Sequence, residues 1–137
     1  MGMSKQLTFI DAFAGCGGLS LGLMQGGLTG KFAIEHDSFA FATLKANLLS
    51  KTAPFKYSWP QWLPKEPLSI TSLLGEYEQE LAALNGSIDV LVGGPPCQGF
   101  SMAGRRQHDD PRNQLFGQYL RLVEIIKPKI VLIENVR

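Results

Sequence analysis

The sequence predicts an α/β domain, a mostly parallel sheet with helices on both faces. Three observations carry that reading. Short apolar runs alternate with segments of helical periodicity along all 137 residues, as in repeated strand–helix–strand units. A glycine-rich turn, Gly15-Cys16-Gly17-Gly18, directly follows the first apolar run. The last run, Ile130-Val131-Leu132-Ile133, is apolar at every position, as in a strand covered on both sides.

Leu7 to Asp11 reads as the first strand, and Leu19 to Gln25 as a short helix closed by Gly26-Gly27. Lys31 to Glu35 is the second strand. Ser38 to Leu48 follows as a helix with Phe41, Leu44 and Leu48 on one stripe. Ser38 is a candidate cap for it, with Asp37 as the alternative. Thr52 to Pro67 contains Pro54, Pro60, Pro64 and Pro67, which excludes a long helix. Its two tryptophans, Trp59 and Trp62, are expected to pin this segment to the body rather than face a ligand. Ser72 to Asn85 reads as one helix, and Ile88 to Val92 as a buried strand. A long loop from Gly93 leads to Asp110, a candidate cap, and Pro111 in the first turn of a further helix. Pro128 ends that helix, and Ile130 to Ile133 is the last strand. No later sequence is present to cover that strand, so its outer edge is expected to be bare.

The bulk numbers bound the function loosely. With 13 basic and 12 acidic residues the net charge is +1, which neither supports nor excludes nucleic-acid binding. No stretch is long and apolar enough to span a bilayer, and residues 1–6 form no signal-peptide core. The two cysteines, Cys16 and Cys97, suggest no secreted disulfide framework. A reduced, intracellular protein, cytoplasmic if bacterial, is expected. Cys16, Cys97, His36 and His108 lack the paired spacings of a metal site.

Two regions suggest a ligand site. The Asp11–Gly18 turn lets a ligand approach the backbone closely and offers free amides at a helix start. Taken alone it is equally a tight strand-to-helix corner. Glu35, ending the second strand, adds a carboxylate that suits ribose hydroxyls. Together they favour an adenosine-containing cofactor. The loop lacks the lysine and hydroxyl residue of a triphosphate-gripping loop. His36 sits where it would approach the adenine, or is simply a surface residue.

The second region is Gly93-Gly94-Pro95-Pro96-Cys97-Gln98-Gly99-Phe100-Ser101. Two prolines fix the backbone before the thiol, and glycines flank it. A rigid cysteine at the carboxyl end of a strand suits covalent attack better than core packing. Glu134 ends the neighbouring strand. It reads equally as an acid sharing that pocket, kept protonated by burial to bond a heterocycle, or as an ordinary strand-end carboxylate.

Asp11 to Gly18, Glu35, the Pro95-Pro96-Cys97-Gln98 block and Glu134-Asn135-Val136 resemble, in order, the opening motifs of the DNA cytosine-5 methyltransferases. The resemblance runs from about Leu7 to Arg137. It implies a Rossmann-like S-adenosylmethionine-dependent methyltransferase fold, cut off after the strand ending at Glu134. Residues 1–137 would be the N-terminal part of the cofactor-binding catalytic domain, without a target-recognition domain. In this reading Cys97 attacks carbon 6 of a cytosine flipped out of double-stranded DNA, and Glu134 binds the ring. The methyl group comes from S-adenosyl-L-methionine, leaving S-adenosyl-L-homocysteine, and no metal is used.

The same resemblance assigns Asp11, Phe13, Ala14, Gly15, Cys16, Gly17, Gly18 and Glu35 to the cofactor. It adds His36, Ser69, Ile70, Gly94, Pro96 and Leu115 to that set. Pro95, Gln98, Ser101, Arg105, Arg106 and Asn135 are assigned to the DNA. Two departures stand out. Ser69 occupies the place where the family commonly has an aspartate for the adenine amino group, and the later family motifs are missing. The chain therefore looks like a fragment, or one chain of a split enzyme whose second chain brings the recognition region. Alone it is expected to show little or no methylation. A restriction-modification role fits the family. The alternatives are a non-catalytic module of the same fold and a relative acting on transfer RNA.

Overall fold

The computed structural model describes residues 4–96 and 111–135. Four parallel strands, β1 (Thr8–Ala12), β2 (Thr29–Ile34), β3 (Val90–Gly93) and β4 (Ile130–Ile133), form one sheet in the order β2-β1-β3-β4. The helices are α1 (Gly18–Gln25), α2 (Ser38–Leu48), α3 (Ile70–Glu76), α4 (Glu78–Ala83) and α5 (Pro111–Ile126).

Alternation along the strands sorts the core into two layers. Ile10 and Ala12 of β1, Phe32 of β2 and Leu91 of β3 pack with Leu73, Leu81, Tyr119, Leu122 and Ile126 from α3, α4 and α5. Phe9, Ala33, Val90 and Val92 point the other way and pack with Met24, Phe41, Leu44 and Leu48 from α1 and α2. Helices therefore cover both faces, as the sequence pattern predicts. Apolar residues close the middle strands on both sides, which is why those strands read as continuous apolar runs.

Several elements differ from the sequence-based expectation. Asp37, not Ser38, caps α2, its Oδ1 accepting the Ala40 amide at 2.8 Å. The single helix expected over Ser72–Asn85 is two, α3 and α4. Ser69 starts α3 early by accepting the Ser72 amide. Tyr77 then leaves helical geometry (φ −124°, ψ 29°) where its ring meets Trp62, 5.6 Å between centroids. Gly75, a weak helix former, lies just before this break. The third strand starts later than expected, at Val90, because Asp89 is committed to side-chain bonding.

Both tryptophans do pin the proline-rich segment. Trp59 meets Phe32, Phe41 and Tyr57 edge-on, and its Nε1 donates to the Leu63 carbonyl at 2.7 Å. Trp62 packs edge-on against Phe32. The expected cap Asp110 lies outside the described residues. At the far end of α5, Lys127 takes a left-handed conformation (φ 47°), its amide bonded to the Val123 carbonyl. Among the described residues β4 pairs only with β3, and Ile130, Val131, Leu132 and Ile133 are 57%, 40%, 46% and 41% exposed. Among the described residues no helix is long and apolar enough to cross a membrane.

At the amino end of the sheet, Asp89 ties three elements together. It accepts the Thr8 amide at 2.9 Å, the Thr8 hydroxyl at 3.1 Å and Lys129 Nζ at 2.6 Å. The lysine and these bonds hold its carboxyl well below the usual range. A depressed carboxylate stabilises the fold fully above its unfolded pKa, and that contribution is lost as pH falls through the lower folded value. Asp89→Asn is therefore expected to melt lower than wild type at neutral pH. The gap should shrink once the pH is taken below the ordinary carboxylate range of about 4. Thermal unfolding followed by circular dichroism at the two pH values checks this.

Candidate functional site

The chain runs from β1 to β2 on one side and then crosses to β3 on the other side of β1. Ligands in such sheets bind outside the carboxyl ends of the strands at this reversal. A cavity of about 310 Å³ lies there. Phe13 and Gly15 line it from the turn after β1, and Ile34, Glu35 and His36 from the end of β2. Leu68, Ser69 and Ile70 form another wall, at the start of α3. Gly94 and Pro96, after β3, and Leu115, on α5, complete it.

The turn holds an unusual backbone. Phe13 has φ 60°, a left-handed conformation that costs a bulky residue about 1 kcal/mol or more. Gly15 and Gly17 follow at φ 57° and 91°, where glycine avoids the penalty. The strained residue is thus the aromatic one that lines the cavity.

Glu35 organises the same end of the sheet. Its side chain is 10% exposed. Oε2 accepts the Gly15 amide and Oε1 the Asp37 amide, both at 2.8 Å. A carboxylate has about four acceptor positions, so two backbone bonds leave capacity for hydroxyls presented from the cavity. His36 Nδ1 lies 3.4 Å from Oε1, with its side chain 73% exposed. The backbone carbonyl of Glu35 takes the Leu68 amide at 2.8 Å, which fixes the opposite wall to β2. Ser69 Oγ accepts the Ser72 amide at 3.0 Å and donates to Ser72 Oγ at 3.1 Å. It meets the cavity as a neutral, already engaged hydroxyl.

Other members of the expected set fall elsewhere. Asp11 does not line the cavity. It is 1% exposed, and its Oδ2 takes the Ser20 hydroxyl at 2.5 Å. Ala14 is half-buried, packs into the α1–α2 layer and bonds the Ile34 carbonyl. Cys16, Gly17 and Gly18 line a neighbouring cavity of about 410 Å³ with Leu21, Thr43 and Phe55. Cys16 is exposed. The turn thus divides between two cavities, a consequence of α1 beginning at Gly18 on the opposite sheet face. Ile34 and Leu68 are lining residues that sequence reasoning missed. No residue-type signal marks either one.

Glu134 stands at the end of β4, its amide bonded to the Gly93 carbonyl at 2.9 Å. Its carboxylate lies so close over Gly94 that a Cβ there would come 2.7 Å from Oε2. Pro95, buried, and Pro96, half-buried, continue from Gly94. Asn135 is exposed. Cys97, Gln98, Ser101, Arg105 and Arg106 lie outside the described residues. Gly94→Ala is expected to push the Glu134 carboxylate off its present position while leaving the fold standing. A crystal structure of the variant would check this directly.

The strand order, the helices on both faces and the glycine turn facing a strand-end carboxylate define a Rossmann-like domain of the S-adenosylmethionine-dependent methyltransferase type. The chain belongs to the C-5 cytosine-specific DNA methylase family, whose model matches residues 7–137. The type II methyltransferase M.AgeI of Thalassovita gelatinovora is 40% identical over 127 residues, covering 93% of this chain and 27% of that protein. M.AquIA of Picosynechococcus sp. is 36% identical over 140 residues, covering 98% of this chain and 50% of that protein. Among solved structures, a putative DNA modification methyltransferase encoded within a prophage of E. coli superposes with a TM-score of 0.68 at 37% identity. That match covers 96% of this chain and 32% of the other. The chain therefore spans between about a quarter and a half of the length of these relatives.

Proposed function

We propose that this chain is the cofactor-binding and nucleophile-bearing part of a DNA cytosine-5 methyltransferase. The observation that carries the reading is the meeting of Glu134 and Gly94 beside the cavity. A carboxylate from one strand end lies against the residue that leads, through two prolines, to Cys97. The cavity suits an adenosyl cofactor. Glu35 has acceptor capacity for ribose hydroxyls, and Phe13, Ile34, Leu68 and Leu115 supply apolar walls for a base. S-adenosylmethionine, when bound, supplies an electrophilic methyl group.

The chain's residues then divide the work. The Cys97 thiolate adds to carbon 6 of cytosine, which makes carbon 5 nucleophilic. Glu134 bonds ring N3 and the exocyclic amine, favouring the build-up of electron density at carbon 5. After methylation, carbon 5 loses its proton and the C6–sulfur bond breaks, restoring both the ring and the thiolate. The cytosine must leave the duplex to reach such a site. Arg105 and Arg106 are suited to phosphate contacts.

The exposed apolar β4 favours completion of the sheet by further sequence or by a second chain, which also brings DNA recognition. The test is a mixing assay on DNA containing 5-fluorocytosine, with this chain alone and with the rest of its locus product. A cofactor-dependent covalent adduct that appears only in the completed protein is the expected result. An adduct on transfer RNA in place of DNA, or none at all, would sink the proposal.

A further inference from the structure

Beneath the glycine turn, on the α1–α2 face of the sheet, lies a buried polar chain that the reaction above does not use. The Tyr57 hydroxyl donates to Ser20 Oγ, and Ser20 donates to Asp11 Oδ2 at 2.5 Å. The three residues are 6%, 0% and 1% exposed, so all of this is removed from water.

Each member sits at a joint. Asp11 is next to last in β1, immediately before Ala12 and the strained Phe13. Ser20 is in the first turn of α1, where unpaired amides favour a nearby negative charge. Tyr57 belongs to the proline-rich segment. Its amide bonds the Leu48 carbonyl at the end of α2, and the next amide, Ser58, bonds Gly30 of β2. Its ring lies so close to β2 that a Cβ on Gly30 would come within 2.6 Å of Cδ1. Further along, the same segment supplies Leu68 and Ser69 to the cavity, with Leu68 bonded to Glu35.

We propose that Asp11, Ser20 and Tyr57 act as one positioning relay, which holds the glycine turn in register with the cavity's opposite wall and so sets cofactor affinity without touching the cofactor. This rests on the cavity being the S-adenosylmethionine site. The three groups come from three elements, each hydrogen bond joins two of them, and Ser20 on α1 is shared by both bonds. A buried hydroxyl or carboxylate that loses its partner has no water to replace it. Misplacement of one element therefore reaches the others.

The relay also carries a charge. Burial pushes the Asp11 carboxyl up to about 7. The Ser20 bond opposes that rise, and Glu35 adds to it. Tyr57 and Tyr119, on the segment and on α5, also sense the Asp11 charge, which adds to burial in raising their hydroxyls. With the folded pKa above the unfolded one, stability declines as pH rises from about 4 to about 7 and is level beyond. The ionised form makes the stronger bond to Ser20 and the better partner for the α1 start. Cofactor binding by the folded protein is thus tightest above about pH 7 and weakens as pH falls through that value.

The test measures S-adenosylhomocysteine binding by calorimetry, with carboxyl-carbon NMR of Asp11, in wild type, Tyr57→Phe and Ser20→Ala. Tyr57→Phe, the milder change, is expected to weaken binding about five-fold at neutral to alkaline pH. Ser20→Ala should move the Asp11 titration upward, since the bond favouring the ionised form is gone. The pH midpoint of binding should move with it. Combined, the two changes should cost less than their sum. Equal affinity in Tyr57→Phe and wild type would overturn the proposal, as would a binding midpoint that stays fixed while the Asp11 titration moves. No binding by folded wild type would instead overturn the cofactor assignment, and any coupling left between the three residues would be structural only.

Discussion

Replacing Cys97 by serine in the completed enzyme is expected to abolish the covalent adduct with 5-fluorocytosine DNA. Methyl transfer should fall by on the order of a thousand-fold or more. Serine keeps the size and the hydrogen-bonding capacity of the position. At neutral pH, though, its hydroxyl is un-ionised, whereas a thiol reaches its nucleophilic thiolate form far more readily. Without addition at carbon 6, carbon 5 of cytosine is too weak a nucleophile to take the methyl group. Cofactor binding should survive, because the substitution leaves the described lining residues of the cavity unchanged. The diagnostic result is thus a collapsed turnover with an unchanged dissociation constant for S-adenosylhomocysteine. Joint loss of both would mean that Cys97 supports the fold rather than the chemistry. Glu134→Gln makes the companion measurement. It keeps shape while removing the acid, so it should slow methyl transfer and leave cofactor binding unaltered.

The fold was legible where residue type and period agreed. Strand–helix alternation predicts the parallel sheet, and β4 (Ile130–Ile133) and α2 (Ser38–Leu48) run between the residues expected. The misreadings have local causes. An unbroken apolar stripe from Leu74 to Leu84 looks like one helix, yet the helix breaks at Tyr77, whose ring packs against Trp62. A contact between segments that far apart in sequence leaves no periodic trace. Similarly, the turn Asp11–Gly18 reads as one cofactor loop. Strand alternation nevertheless sends the Asp11 side chain into the α1–α2 layer, while Phe13 and Gly15 reach the cavity. Tyr57 was invisible for another reason. Its partners Ser20 and Asp11 are far away in sequence, and an aromatic residue in a proline-rich stretch carries no positional signal. Glu35 was readable because a strand-end carboxylate opposite a glycine turn is a short-range pattern.

Gly93→Ala is expected to be the most damaging single methyl addition in the described sheet. Gly93 ends β3 and pairs with Ala12 of β1 and Ile133 of β4. A Cβ there would come 2.5 Å from the Ala12 carbonyl oxygen and 2.8 Å from a Tyr119 ring carbon. The first of these is backbone of the neighbouring strand and cannot swing aside. The second belongs to a fully buried ring whose hydroxyl bonds the Leu91 carbonyl at 3.3 Å. Relief therefore requires β1 and β3 to part, or α5 to lift, and overpacking of this kind costs about 3 kcal/mol. Against a total stability of roughly 5–15 kcal/mol, that is a drop of about 10 °C in melting temperature. Gly117→Ala provides the contrast, since a Cβ in that exposed position of α5 would meet nothing within 4 Å among the described residues. It should raise stability by about 0.5–1 kcal/mol, through the better helix propensity of alanine. Thermal unfolding of the two variants side by side separates steric exclusion from backbone freedom as the reason for each glycine. Because Ala12 and Gly93 carry the chain directly into Phe13 and Gly94, parting them would also open the cavity. Any Gly93→Ala protein that stays folded should therefore bind S-adenosylhomocysteine more weakly, whereas Gly117→Ala should bind it as wild type does.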